Sequence, residues 1–213
     1  MRLTTWGHAC VRLDHHGGRL LLDPGSFSDL NDAVADVATV LVTHEHADHL
    51  AVGPVARLVR DRGVRVLGPR AALDLLVEAD APADLLDEVR PGDSFDLDGL
   101  AVRVTGGLHA EIHPDVPRVA NVGYLAGGVY HPGDSTDDPA GEVRVLLAPV
   151  GGPWLRLAAM VDLARQLHPH TVVPIHDAML TDVGHALVDR IVQGLLRSGE
   201  YRRLTLGENL DVD

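Results

Sequence analysis

No lysine occurs anywhere in the 213 residues; all 18 basic side chains are arginine. Schiff-base chemistry is therefore excluded, and so is a phosphate-gripping loop built on lysine. Cysteine is nearly absent. With Cys10 alone the chain forms no internal disulfide, and an apolar strand context makes it a buried small hydrophobe. The first residues, Met1-Arg2-Leu3-Thr4-Thr5-Trp6, carry no apolar run followed by a small-residue cleavage site. Both facts predict a reducing, cytoplasmic location. No uninterrupted apolar stretch approaches the roughly 18 residues of a bilayer span, so no membrane association is expected. A basic footprint is also missing: the formal net charge is −13. Nucleic-acid binding is disfavoured on that ground, although an acidic chain can still hold a local basic groove. The sequence leaves a homo-oligomer open.

Hydrophobic residues make up 46% of the chain, enough to bury a core, and the length suits a single domain over residues 1–213. Strands are predicted at Ala9 to Leu13 and Arg19 to Leu22, joined across His15-His16-Gly17-Gly18 and stopped by Asp23-Pro24-Gly25. Asp29 to Ala38 reads as a short helix or irregular loop, and Thr39 to Val42 as a buried strand. Leu50 to Arg60 reads as a helix with Pro54 near its start. A strand at Val64 to Leu67 and a helix at Arg70 to Ala79 follow. Strands are expected at Ser94 to Leu97, at Leu100 to Thr105 ending at Gly106-Gly107, at Val119 to Leu125, at Val129 to His131 and at Val143 to Leu147. A helix from Leu155 to Leu167, a strand from Thr171 to Pro174, a helix from Asp182 to Arg197 and a closing strand from Tyr201 to Leu206 complete the pattern. Two similar halves, each a sheet with helices on one side, predict an α/β chain packed as a four-layer αββα sandwich.

Histidine is abundant, at 13 residues, and imidazole is the commonest ligand of zinc-like metals. Four ligand-type side chains fall within six positions: His44, His46, Asp48 and His49. They directly follow a buried strand, where a loop can aim side chains at one point. Alternate residues share a face, so His44 and His46 can converge on one metal, with Asp48 and His49 facing a second. A solvated loop would set the same groups against a core strand without partners. Two metals need more ligands, and His109, Asp134 and His176 each stand in a loop after a predicted strand.

Five other positions keep two readings each. His8 lines the mouth of the site or simply makes a turn. Asp23 hydrogen-bonds a ligand histidine from behind or caps a strand. Glu111 and His113 touch substrate or only solvent. Trp154, after Gly151-Gly152-Pro153, covers the pocket or packs a helix start, and packing is the expectation. His15, His16, His168, His170 and His185 read as surface or structural.

The run His-x-His-x-Asp-His, with a later His, Asp and His, resembles the signature of the metallo-β-lactamase fold superfamily. The stretches Thr4-Thr5-Trp6-Gly7-His8-Ala9, Leu22-Asp23-Pro24 and Gly133-Asp134-Ser135 further resemble its ascorbate-6-phosphate-lactonase-like branch. The resemblance implies that His44, His46 and His109 hold one metal and Asp48, His49 and His176 the other, with Asp134 bridging and a hydroxide between the ions as nucleophile. Asp48 would also orient that nucleophile. Zinc (Zn2+) at both sites is implied; manganese, iron or nickel (Mn2+, Fe2+, Ni2+) also suit a site that shares carboxylates. The implied partner is a small-molecule substrate, and the implied activity is hydrolysis of a small ester, lactone or phosphoester. Two alternatives stand beside it: a phosphodiesterase or nuclease acting on nucleotides, with Arg118 nearest in sequence to grip phosphate, and a metal-binding scaffold without turnover. Di-iron oxygen-reducing relatives carry Glu at the position of His46, and secreted β-lactamases carry cysteine at that of Asp134. Neither applies to this chain.

Overall fold

A computed structural model describes residues 1–213. In chain order the first half runs β1 (Arg2–Thr5), β2 (Val11–His15), β3 (Gly18–Leu22), α1 (Leu30–Ala33), β4 (Thr39–Leu41), α2 (Val52–Arg62), β5 (Arg65–Gly68), α3 (Arg70–Glu78) and β6 (Leu86–Glu88). The second half runs β7 (Ser94–Leu97), β8 (Leu100–Leu108), β9 (Ala120–Ala126), β10 (Val129–His131), β11 (Val145–Pro149), α4 (Leu157–Leu167), β12 (Thr171–Ile175), α5 (Asp182–Leu195), β13 (Glu200–Tyr201) and β14 (Asn209–Asp211). Two seven-stranded mixed sheets result, ordered β14-β1-β2-β3-β4-β5-β6 and β13-β12-β11-β10-β9-β8-β7.

Side-chain alternation explains the layering. Successive strand residues point to opposite faces. Leu20 and Leu22 join the cluster between the sheets, while Leu21 faces the helices. Leu41 faces the other sheet, and Val40 and Val42 face α2 and α3. In the second sheet Leu147 points inward, and Leu146 and Ala148 point to α4. Because these central strands are apolar on both faces, each must be covered twice. The outcome is the expected αββα sandwich. Tyr124 in β9 stitches the sheets together: its hydroxyl donates to the Val42 carbonyl at 2.9 Å.

The topology also sets where the loops gather. Strands β3, β4 and β5 are parallel, so their C-terminal ends share an edge. The β1-β2-β3 meander is antiparallel and returns the end of β1 to that edge. In the other sheet β10, β11 and β12 are parallel, and β8 ends where antiparallel β9 begins. The loops after β1, β3, β4, β8, β10, β11 and β12 therefore meet on one rim.

Two expectations need correction. The strand from Leu100 does not stop at Gly106-Gly107. It continues to Leu108, because β9 keeps pairing with it through Asn121 and Ala120. The closing strand from Tyr201 to Leu206 is reduced to Glu200–Tyr201. Arg203 turns aside to pair with Asp189 and Asp177, and Gly207 donates to the Thr5 carbonyl, so the chain crosses to the first sheet. There Asn209–Asp211 pairs with β1, a strand the sequence reading did not name. It likewise did not name β6, an edge strand whose polar Asp87 and Glu88 give no hydrophobic alternation. No helix is long and apolar enough to cross a membrane.

Candidate metal centre

The loop carrying His44 to His49 leaves β4 and turns at once, with the amides of His49 and Leu50 donating to the His46 carbonyl. The loop after β3 braces it from outside. Ser26 N–H donates to the Ala47 carbonyl, and Ala51 N–H to the Pro24 carbonyl. The two backbones touch so closely at Gly25 that a Cβ there would lie 1.6 Å from the Asp48 carbonyl oxygen, so only glycine fits.

All seven sequence-predicted ligands meet on the rim, in two adjoining groups: His44, His46, His109 and Asp134, and Asp48, His49 and His176 joined by His8. His44, His49, His109, Asp134 and His176 are at most 3% exposed. His109 Nε2 and His176 Nε2 each stand 3.2 Å from Asp134 Oδ2, and His49 Nε2 stands 3.0 Å from Asp134 Oδ1. His44 Nε2 faces His46 Nδ1 at 3.0 Å. Atoms bound tetrahedrally to one zinc ion at about 2.1 Å stand about 3.4 Å apart, so these spacings suit a shared cation.

Hydrogen bonds at the outer ring nitrogens fix where the lone pairs point. Asp23 Oδ2 takes a hydrogen bond from His49 Nδ1 at 2.6 Å. The Ala110 carbonyl takes one from His109 Nδ1 at 2.6 Å. Thr43 Oγ1 donates to Asp23 and so accepts from His44 Nδ1 at 2.9 Å. In the neutral form that binds a metal, each of these imidazoles turns an unprotonated Nε2 inward, toward the Asp134 carboxylate. Lone pairs facing a carboxylate repel unless a positive charge lies between them. Consistent with this, His49 Nε2, Asp134 Oδ1 and His176 Nε2 are buried without a hydrogen-bond partner in the protein. The donor set fits a metal ion.

The electrostatics agree. Burial pushes the Asp134 carboxyl up, but the surrounding histidines, His49 foremost, hold it well below the usual carboxylate range. Burial likewise raises Asp48, yet the hydrogen bond with His8 and the imidazoles of His49 and His176 bring it down to about 2. His44 and His46 are lowered, mainly by burial. Burial also opposes charge on His49, but Asp134 and Asp23 outweigh it and raise that group to about 10. A positive charge is favoured between these carboxylates.

His8 uses the opposite tautomer. Its Nδ1 accepts from the Ala178 amide at 3.3 Å, so Nε2–H donates to Asp48 Oδ2 at 3.2 Å. It therefore steadies Asp48 and also touches the ring of His176 at 4.1 Å. His8, Asp23 and His176 all hold positive φ angles (49°, 45° and 57°), a region non-glycine residues seldom adopt and one concentrated at functional sites. Asp23 lies behind His49 rather than merely capping β3. Glu111 and His113 stand on the exposed loop after His109 and join neither group. Arg118, also exposed, anchors its Nε–H on the His109 carbonyl at 2.6 Å.

Sequence reading assigned no role to two supports of the Asp134 loop. Asn121, fully buried in β9, accepts from the Asp134 amide at 2.9 Å and donates to the Pro132 carbonyl. His131, fully buried, accepts from the Gly133 amide and donates to the Ala9 carbonyl. A polar side chain within the apolar run Ala120–Ala126 was the available signal for Asn121. A groove of about 650 Å³ beside Arg65, Asp87 and Leu97 opens at the opposite edge and contains no histidine.

Comparison with known proteins gives a consistent pattern. A family model described as Beta-lactamase superfamily domain matches residues 2–176. A Mycobacterium tuberculosis protein, Rv0786c, is 35% identical over 84% of this chain and 85% of its own length. A UPF0173 metal-dependent hydrolase of Pyrobaculum arsenaticum is 28% identical over 83% of this chain and 84% of its own. Among solved structures, a metallo hydrolase of the archaeon Ignicoccus hospitalis superposes with a TM-score of 0.76 at 22% identity, covering 100% of this chain and 99% of that one.

Proposed function

The chain belongs to the metallo-β-lactamase superfamily, and from that premise we propose that it is a metal-dependent hydrolase with two metal positions, acting on a small ester, lactone or phosphoester. The observation that carries this reading is the set of inward Nε2 atoms of His44, His49 and His109, held by outer hydrogen bonds and converging on Asp134. The name of the Pyrobaculum arsenaticum relative supports the same class.

In this reading His44, His46 and His109 would hold one ion and Asp48, His49 and His176 the other, with Asp134 shared between the two groups. Zinc suits the imidazole-rich set best. When bound, such a pair of ions supplies a nucleophilic water near neutral pH and polarises the substrate oxygen. The chain's own residues do the rest. Asp48, fixed by His8, orients the attacking water through its remaining lone pairs. Asp23 holds the His49 ring at its angle. Burial of Asp134 and four of the histidines keeps bulk water from screening these charges.

A phosphodiesterase reading is favoured by one observation, the arginine anchored beside His109. Elemental analysis of the purified protein should give up to two equivalents of transition metal. The loaded protein is then assayed on lactones, generic esters and phosphodiesters. Turnover confined to phosphodiesters selects the second reading. A metal-loaded protein that turns over none of them would overturn both and leave a scaffold.

A further inference from the structure

Trp154 lies in the loop after β11, on the rim that carries the candidate ligands. It is only 7% exposed. Its ring stands edge-on to His109 and to His176, with centroids 5.7 Å from each and interplanar angles of 74° and 77°. It therefore spans one histidine from each group. Yet its Nε1–H, buried with it, finds no acceptor in the protein. Phenylalanine would pack in the same place without burying a donor. Buried tryptophan N–H groups ordinarily have a partner, so this one requires an acceptor from elsewhere.

The donor lies beside the centre. Gly152 has φ +129°, and a Cβ there would lie 3.0 Å from Trp154 Nε1 and 3.3 Å from His176 Cε1. The absence of a side chain lets the chain pass close to both the indole N–H and the edge of a candidate metal ligand. Trp6 gives the contrast. Its Nε1 is also unpaired, but the residue is only half-buried and its ring carries the Arg12 guanidinium at 5.2 Å.

We propose that Trp154 is a substrate-contacting residue, whose Nε1–H donates a hydrogen bond to an oxygen of the ligand seated across the two histidine groups. The ligand class is one with a carbonyl, carboxylate or phosphoryl oxygen next to the reacting bond. This inference rests on the metal-hydrolase reading above. It reverses the expectation that Trp154 serves packing alone.

The test uses the full chain labelled with 15N-tryptophan, which gives two indole N–H resonances, assigned with Trp6→Phe. Zinc is added first; a protein that takes up no zinc overturns the underlying reading and this proposal with it. Inorganic phosphate and acetohydroxamate are then titrated in parallel, with binding followed by calorimetry. The expected result is a saturable downfield movement of the Trp154 indole proton, with Trp6 still. A Trp154 resonance that stays put while either probe binds overturns the proposal, and so does a zinc-loaded protein that binds neither. Trp154→Phe, which keeps the ring, should retain its zinc and its melting temperature while binding phosphate about tenfold more weakly. Unchanged phosphate affinity in that variant overturns it as well.

Discussion

Asp23 Oδ2 lies 2.6 Å from His49 Nδ1, and both side chains are fully buried. The same carboxylate accepts from the Thr43 amide and hydroxyl. One acid thus sets the tautomer of His49 directly and, through Thr43, that of His44. Asp23→Ala should weaken metal binding by about 10–100-fold, the usual cost of losing such a supporting group. Competition titration against a chromophoric chelator measures it; unchanged affinity would remove Asp23 from the support of the site.

Asp134 approaches histidines of both halves of the cluster. Asp134→Ala should abolish hydrolysis and reduce the metal bound, while circular dichroism still reports a folded chain. Undiminished turnover would take Asp134 out of the bridging role.

Gly25 allows the loop after β3 to lie against the Asp48 backbone. Gly25→Ala puts a methyl group where a carbonyl oxygen stands, and backbone cannot rotate away as a side chain can. Displacement of the ligand loop should cost about 1–3 kcal/mol of stability, read as a lowered urea midpoint, together with weaker metal uptake.

Arg203 pairs with Asp189 through both carboxylate oxygens, at 2.7 and 2.8 Å, and also with Asp177 next to His176. Burial pushes the Asp189 carboxyl up, but Arg203 and the Tyr201 hydroxyl outweigh it and hold it below its usual range. A depressed folded pKa stabilises the native state above the unfolded value, about 3.9. That stability is lost as pH falls through the folded value. Asp189→Asn should therefore be less stable than the parent at pH 7, by about 1 kcal/mol, because the pair is part-buried yet keeps some contact with solvent. The difference should shrink below about pH 4. Urea unfolding at pH 7 and pH 3 checks the sign.

Much of the architecture was legible because hydrophobic alternation is a local property. The runs at Leu20–Leu22, Val40–Val42 and Leu146–Ala148 each state which residues face inward and which face a helix. Where that signal weakened, the reading failed. The polar edge strand Leu86–Glu88 and the short strands β13 and β14 are held by pairing partners rather than by their own pattern.

At the site, the sequence by itself determined the chemistry of the ligands: four donors in six positions after a buried strand, and three more after later strands. Spacing fixed which donors can share a face. Only the tertiary structure decided the roles of the groups behind and around them. His8 meets Asp48 across 40 positions, Asp23 meets His49 across 26, and Asn121 meets Asp134 across 13. Trp154 reaches His109 and His176 from a loop belonging to neither. A lone His, Asp, Asn or Trp has no periodicity to reveal its partner. Its neighbours are set by the register of two sheets and the rim their parallel strands share, which exists only once the whole chain has folded.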